Sequence, residues 1–145
     1  MAFVPVEFWV VVCAVLGAIL GSYANMAAYR LPRNISTVKV IRSFCPACQH
    51  QLAWHDNLPV LSFLLLRGRC HYCGKPIPLR YLLVELAVIA LFAAAAWQFF
   101  VLNRSAGTAL FAMQLFLIVD LMVLAVADLE TWLIPPATTL PWILA

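Results

Sequence analysis

Hydrophobic positions along this chain fall into long uncharged runs separated by polar segments. Phe8 to Tyr29 is 22 residues without a charge. A helix rises about 1.5 Å per residue, so roughly 20 residues cross a hydrocarbon core and this run predicts a first transmembrane helix. Leu82 to Leu102 predicts a second, with Glu85 near its start. Ala106 to Ala127 predicts a third of 22 residues, interrupted only by Asp120 and followed at once by Asp128. Arg30 to Tyr81 is a polar loop of 52 residues, and Asn103 to Ser105 is a short turn carrying Arg104. Beyond Pro135 and Pro136 the chain is apolar again, but the nine residues from Ala137 to Ala145 are too few to cross and read as the start of a truncated fourth span.

Composition supports this pattern. Hydrophobic residues make up 66% of the chain and charged residues 10%, against roughly 25% charged in a soluble protein. A water-soluble fold of 145 residues has too little interior for that much apolar surface. A signal peptide is the rival reading of the first run. No basic residue precedes it, however, it is longer than a signal core, and Arg30 and Arg33 follow it. Gly17 and Gly21, four apart and followed by Ser22, offer a small-residue face for close helix packing.

The net charge of +3 matters through its placement. Eight of the nine basic residues lie between Arg30 and Arg80, and the ninth is Arg104. By the positive-inside rule the 52-residue loop is cytoplasmic, and the N-terminus and the 103–105 turn lie outside. The basic positions are broken up by apolar stretches, so no nucleic-acid partner is expected.

Candidate chemistry sits in that loop. Cys45 and Cys48 form one Cys-x-x-Cys pair, Cys70 and Cys73 another, with 21 residues between them. Each pair can offer two thiolates from a tight turn, and two such turns complete a tetrahedron around zinc. Gly74 suits the second turn by tolerating positive φ. Two disulfides are the alternative, which a reducing cytoplasm opposes. A thioredoxin-like redox pair needs a βαβ context that the pattern lacks. Four sulfurs leave no open coordination position, so the expected site is a structural clamp. His50, His55 and His71 are then expected as solvated loop residues, and Cys13, alone in an apolar run, as a packing residue. The expected fold is an all-α polytopic membrane protein of about three transmembrane helices with a small cytoplasmic zinc-ribbon-like loop. Its divisions are 1–29 (first helix), 30–81 (four-cysteine domain), 82–128 (helical hairpin) and 129–145 (loop and truncated span).

Asp128 is the candidate for catalysis. An ionisable residue at a membrane boundary is costly and tends to be functional, although position alone fits a carboxylate that marks a helix end equally well. Asp120 lies eight residues earlier, about 12 Å along a continuous helix. Two carboxylates sharing a proton stand about 3 Å apart, so these two cannot form a dyad on one straight helix. Glu85 is expected to cap or pair within the bundle, with Arg80 as a basic partner.

Taken in order, these segments resemble the N-terminal half of bacterial type IV prepilin peptidases, the bifunctional leader peptidase/N-methyltransferases. The resemblance is carried by Gly21–Pro32 (GSYANMAAYRLP), the paired cysteines, Trp54–Val60 (WHDNLPV), Leu66–Cys70 (LRGRC), Arg80–Leu86 (RYLLVEL), and Asp128 followed by Ile134, Pro135 and the Thr139–Pro141 stretch. It implies an aspartic endopeptidase of the bacterial inner membrane that acts on prepilin or pseudopilin precursors of the type IV pilus or type II secretion. It further implies methylation of the new N-terminal amine from S-adenosylmethionine, an activity associated with the cysteine domain. Asp128 would be the first catalytic aspartate. The second lies in a Gly-x-Gly-Asp motif on a later span, which this sequence does not contain, and Pro136 stands where the family usually has an acidic or amide residue. The resemblance therefore implies a shortened member: a gene fragment, a split enzyme that works with a C-terminal peptidase half, or a degenerate paralogue. The alternative is a non-catalytic zinc-binding membrane module that binds pilus- or secretion-assembly proteins.

Overall fold

The computed structural model describes residues 5–37, 42–102 and 107–132. Three long helices dominate: α1 (Val6–Arg30), α3 (Arg80–Trp97) and α4 (Thr108–Thr131), with a short α2 (Leu61–Leu65) in the loop between α1 and α3. All three are long and apolar enough to cross a membrane, α3 being extended by the π-helical turn Gln98–Leu102. The structure is all-α among the described residues; the sole strand-like features are two isolated bridges, Phe44 to Gln51 and Arg69 to Pro76. The expected fourth span, the Arg104 turn and the Ile134–Pro141 stretch lie outside the described residues.

Small residues decide how the helices meet. A Cβ on Gly17 would lie 2.9 Å from the Phe92 Cβ, and one on Gly21 would lie 3.0 Å from the Glu85 Cα. The small face of α1 thus admits the backbone of α3, as the Gly17–Gly21 spacing predicts. Ala24, Ala27 and Ala28 continue that face and meet Val84 of α3 and Val123, Val126 and Ala127 of α4. Cys13 is a buried packing residue of α1. Large apolar side chains such as Val11, Val15 and Ile19 of α1, and Leu110, Met113 and Leu121 of α4, point outward. In water that surface would be costly; in lipid it is the ordinary exterior.

The two ends of the bundle are built differently. At one end Trp9 stacks on Phe100 and Phe99 stacks on Phe111, an aromatic clip across the three helices. At the other end charged side chains bind the helix termini together. Glu130 of α4 pairs with Arg80 at the start of α3, and with Arg33, just past α1, at 3.6 Å. Residues 31–37 and 42–79, with the cysteines, lie at this charged end.

Candidate metal centre and the cavity beneath it

Each Cys-x-x-Cys pair folds into the same tight knuckle. In the first, the Gln49 N–H donates to the Cys45 carbonyl at 2.8 Å and the Cys45 N–H to the His50 carbonyl at 3.0 Å. In the second, the Gly74 N–H donates to the Cys70 carbonyl and the Cys70 N–H to the Lys75 carbonyl, both at 2.9 Å. The residue after each second cysteine takes positive φ: 59° at Gln49 and 68° at Gly74. Gly74 was legible for that reason; Gln49 does the same work without the glycine that would announce it.

The knuckles bring the four sulfurs together. The Sγ atoms of Cys45, Cys48, Cys70 and Cys73 all lie within 4.8 Å of one another, and no cysteine is in a disulfide. Four thiolates at about 2.3 Å from one zinc ion stand roughly 3.8 Å apart, so the cluster has the dimensions and donors of a closed, four-sulfur metal centre compatible with zinc. A backbone hydrogen bond from His50 lowers the Cys48 pKa. Lost hydration and hydrogen bonds with the thiols of Cys45 and Cys73 act the other way and outweigh it, and the thiol is pushed up to about 11.

The histidines stay out of the four-sulfur group. His55 and His71 are half-exposed, yet both face the Asp56 carboxylate, at 3.7 Å and 3.0 Å. Burial raises the Asp56 pKa, but hydrogen bonds from His71 and Tyr72 outweigh it and hold the carboxyl below its usual range. His50 packs against Tyr72 with ring centroids 3.7 Å apart. The three histidines are exposed loop residues, as expected, and they also lash the Trp54–Asn57 turn and the first knuckle to the second.

Two further residues seat the domain on the helices. Arg30, 2% exposed, donates to the Arg42 carbonyl at 3.0 Å and lies over the Phe44 ring, so a charge that reads as a topology signal also anchors the first knuckle. Glu85 does not pair with Arg80, whose partner is Glu130. Instead its Oε2 accepts the Val60 N–H at 2.7 Å. Val60 has φ 61° and ψ −50°, and the Leu61 N–H reaches back to the Pro59 carbonyl at 2.6 Å. This is a γ-turn of the rarer, strained kind, centred on a β-branched residue. The carboxylate of α3 holds that strained turn against the bundle.

Asp128 is exposed on α4, one turn from its end. The Trp132 N–H caps the Asp128 carbonyl at 2.8 Å, and Glu130, two residues on, ties this end of α4 to Arg80 and Arg33. Asp128 therefore sits at the end of the bundle that carries the cysteines. Asp120 is half-buried on the same unbroken helix, about 12 Å away along the axis. Between the knuckles and the helix ends lies a cavity of about 400 Å³, bounded by Asn25, Tyr29, Asp56, Arg80, Glu85 and Glu130 among others.

Three membrane-length helices, with a four-cysteine knuckle domain seated on their charged end, define a class of polytopic membrane protein with a four-cysteine extramembrane module whose sulfurs are placed to hold a metal ion. The chain belongs to the family described as Bacterial Peptidase A24 N-terminal domain, which matches residues 15–99. A prepilin leader peptidase/N-methyltransferase of Myxococcus xanthus is 44% identical over 131 residues, covering 90% of this chain and 37% of its own length. Proteins of the same name from Klebsiella pneumoniae and Vibrio cholerae are 40% and 34% identical, covering 86% and 92% of this chain and 54% and 53% of their own lengths. The chain thus spans about half or less of the length of these relatives. No solved structure matches it.

Proposed function

We propose that these residues form the zinc-clamped half of a prepilin leader peptidase/N-methyltransferase and supply the first of its two catalytic aspartates. The observation that carries the reading is the position of Asp128: exposed, one turn from the end of α4, beside the cysteine domain. An aspartic peptidase needs two carboxylates whose mutual repulsion splits their pKa values, one acting as general base on a water and the other as general acid. Asp128 would fill one role. The other would come from a Gly-x-Gly-Asp aspartate, a motif not found in these 145 residues.

In this reading Cys45, Cys48, Cys70 and Cys73 hold zinc as a structural clamp. The protein lies in the bacterial inner membrane, surrounded by lipid, with its N-terminus outside and residues 30–81 in the cytoplasm. The substrates are prepilin or pseudopilin precursors of the type IV pilus or type II secretion, which present a basic leader on that face. S-adenosylmethionine supplies the methyl group for the new N-terminal amine. The chain's own contribution is to place Asp128, the substrate amine and the donor at one membrane edge.

Co-expression of this chain with a C-terminal half carrying Gly-x-Gly-Asp tests the assignment. Prepilin cleavage is expected from the pair and not from the 145 residues alone. Asp128→Asn should abolish it at unchanged protein level, while Asp120→Asn should cost less. Efficient cleavage by the chain alone, or a harmless Asp128→Asn, would overturn the catalytic role. Zinc binding without cleavage in any pairing would favour a binding module for pilus-assembly proteins.

A further inference from the structure

Four family-like segments of the sequence meet at the cavity beneath the knuckles: Gly21–Pro32, Trp54–Val60, Leu66–Cys70 and Arg80–Leu86 each contribute lining residues. Its volume of about 400 Å³ falls in the range of small-molecule sites, roughly 300–1,000 Å³. Ser22, Met26, Tyr29 and Phe44 give it mixed polar and apolar walls.

The buried polar atoms of that lining are unusual. Asn25 Oδ1, Asp56 Oδ2, Arg80 Nη1 and Glu130 Oε2 are buried without a hydrogen-bond partner among the described residues, and all four residues border this cavity. Asn25 is 2% exposed and the Asp56 side chain 3% exposed. A buried polar atom left unpaired costs about 1–3 kcal/mol, so four around one space are an account to be settled by a ligand or by ordered water.

The arrangement selects the chemistry. Asn25 uses its amide nitrogen on the Tyr81 carbonyl at 2.9 Å, which leaves its oxygen as an acceptor. Arg80, the residue before Tyr81, spends Nη2 on Glu130 Oε1. Arg80 Nη1 and Glu130 Oε2 are thus a buried donor nitrogen and a buried acceptor oxygen of this pair without a hydrogen bond, the latter in an ion pair with Arg33 at 3.6 Å. A side-by-side cationic donor and anionic acceptor complement an α-amino-carboxylate, whose two charges have the opposite order. Asp56 Oδ2, on the knuckle side, suits a hydroxyl or amine donor elsewhere on the same ligand.

We propose that this cavity, and not the metal centre, binds the methyl donor, with Arg80 taking its carboxylate and Glu130 and Asn25 its ammonium. The proposal rests on the methyltransferase reading above. It makes the Arg80–Glu130 pair both the brace of α4 and the recognition element for the donor, within a few residues of Asp128.

The test uses the full chain, zinc-loaded, in lipid nanodiscs. S-adenosylhomocysteine, which keeps the amino-acid end, should bind saturably by calorimetry or equilibrium dialysis. Methylthioadenosine, which lacks that end, should bind at least tenfold more weakly. Glu130→Gln should weaken S-adenosylhomocysteine at least tenfold with zinc content unchanged. Asn25→Ser, which leaves the Arg80–Glu130 brace alone, should also weaken it and serves if Glu130→Gln does not fold. Equal binding of the two probes, or wild-type affinity in both folded variants, would overturn the pocket. If the pair reconstituted with a C-terminal half methylates prepilin while the variants bind normally, the pocket alone is wrong. If no preparation, the pair included, binds S-adenosylhomocysteine or methylates, the methyltransferase reading falls with it.

Discussion

Cys48 is the residue at which acid–base chemistry and folding meet. Its thiol is pushed up to about 11 in the absence of metal, because hydrogen bonding with Cys45 and Cys73 and lost hydration outweigh the help from the His50 backbone. It is therefore protonated at neutral pH until a metal displaces the proton. Metal binding releases protons from such thiols, so affinity falls as pH falls. Chelator competition between about pH 8 and 5 should show zinc held at the upper end and lost progressively toward the lower. Cys48→Ser should sharply lower zinc content and make residues 42–79 sensitive to protease, since structural zinc binding contributes directly to folding. A domain that stays protease-resistant and zinc-free under reducing conditions would contradict this. At the same scale, Glu85 and Val60 show what local reading misses. The sequence places a carboxylate near Arg80, and proximity along the chain suggests that pair. The fold spends Glu85 on a strained turn 25 residues upstream and gives Arg80 to Glu130, fifty residues downstream.

Among the elements, the helices were legible because their signals are local. Uncharged length announces a span, and two glycines four apart announce a close face. The α1–α3 contact bears this out at Gly17, where an added Cβ would meet Phe92 Cβ at 2.9 Å and the Val88 carbonyl at 3.1 Å. Gly17→Val should therefore cost about 1–3 kcal/mol through forced separation of the helices, read as a lower thermal midpoint in detergent. Gly107→Ala is the contrast, because a Cβ there meets nothing within 4 Å and should change the midpoint little. Equal effects at the two sites would mean that α1 and α3 do not pack as described. The knuckles were legible through cysteine spacing and Gly74. The positive φ at Gln49 was not, because a glutamine carries no such signal. Helix ends were less legible than helix centres: α3 starts at Arg80, and α4 runs through Asp128 to Thr131, since charged residues that end an apolar run still satisfy a helical backbone.

For the whole molecule, the proposed function puts its chemistry on one face of the membrane. The cysteine centre, the cavity and Asp128 share one end of the bundle, and the aromatic clip of Trp9, Phe99, Phe100 and Phe111 marks the other. The proposed cytoplasmic placement of this end rests on the eight-to-one partition of basic residues. The direct measurement is labelling with a membrane-impermeant maleimide, read peptide by peptide by mass spectrometry. Single reporters Trp54→Cys, Asp128→Cys and Ser105→Cys are introduced in a Cys13→Ala background that leaves the zinc cysteines in place. In intact cells with a permeabilised outer membrane, position 105 should label and positions 54 and 128 should not; in inside-out vesicles the pattern should reverse. Labelling of 54 or 128 from outside, or of those two from opposite sides, would contradict the account.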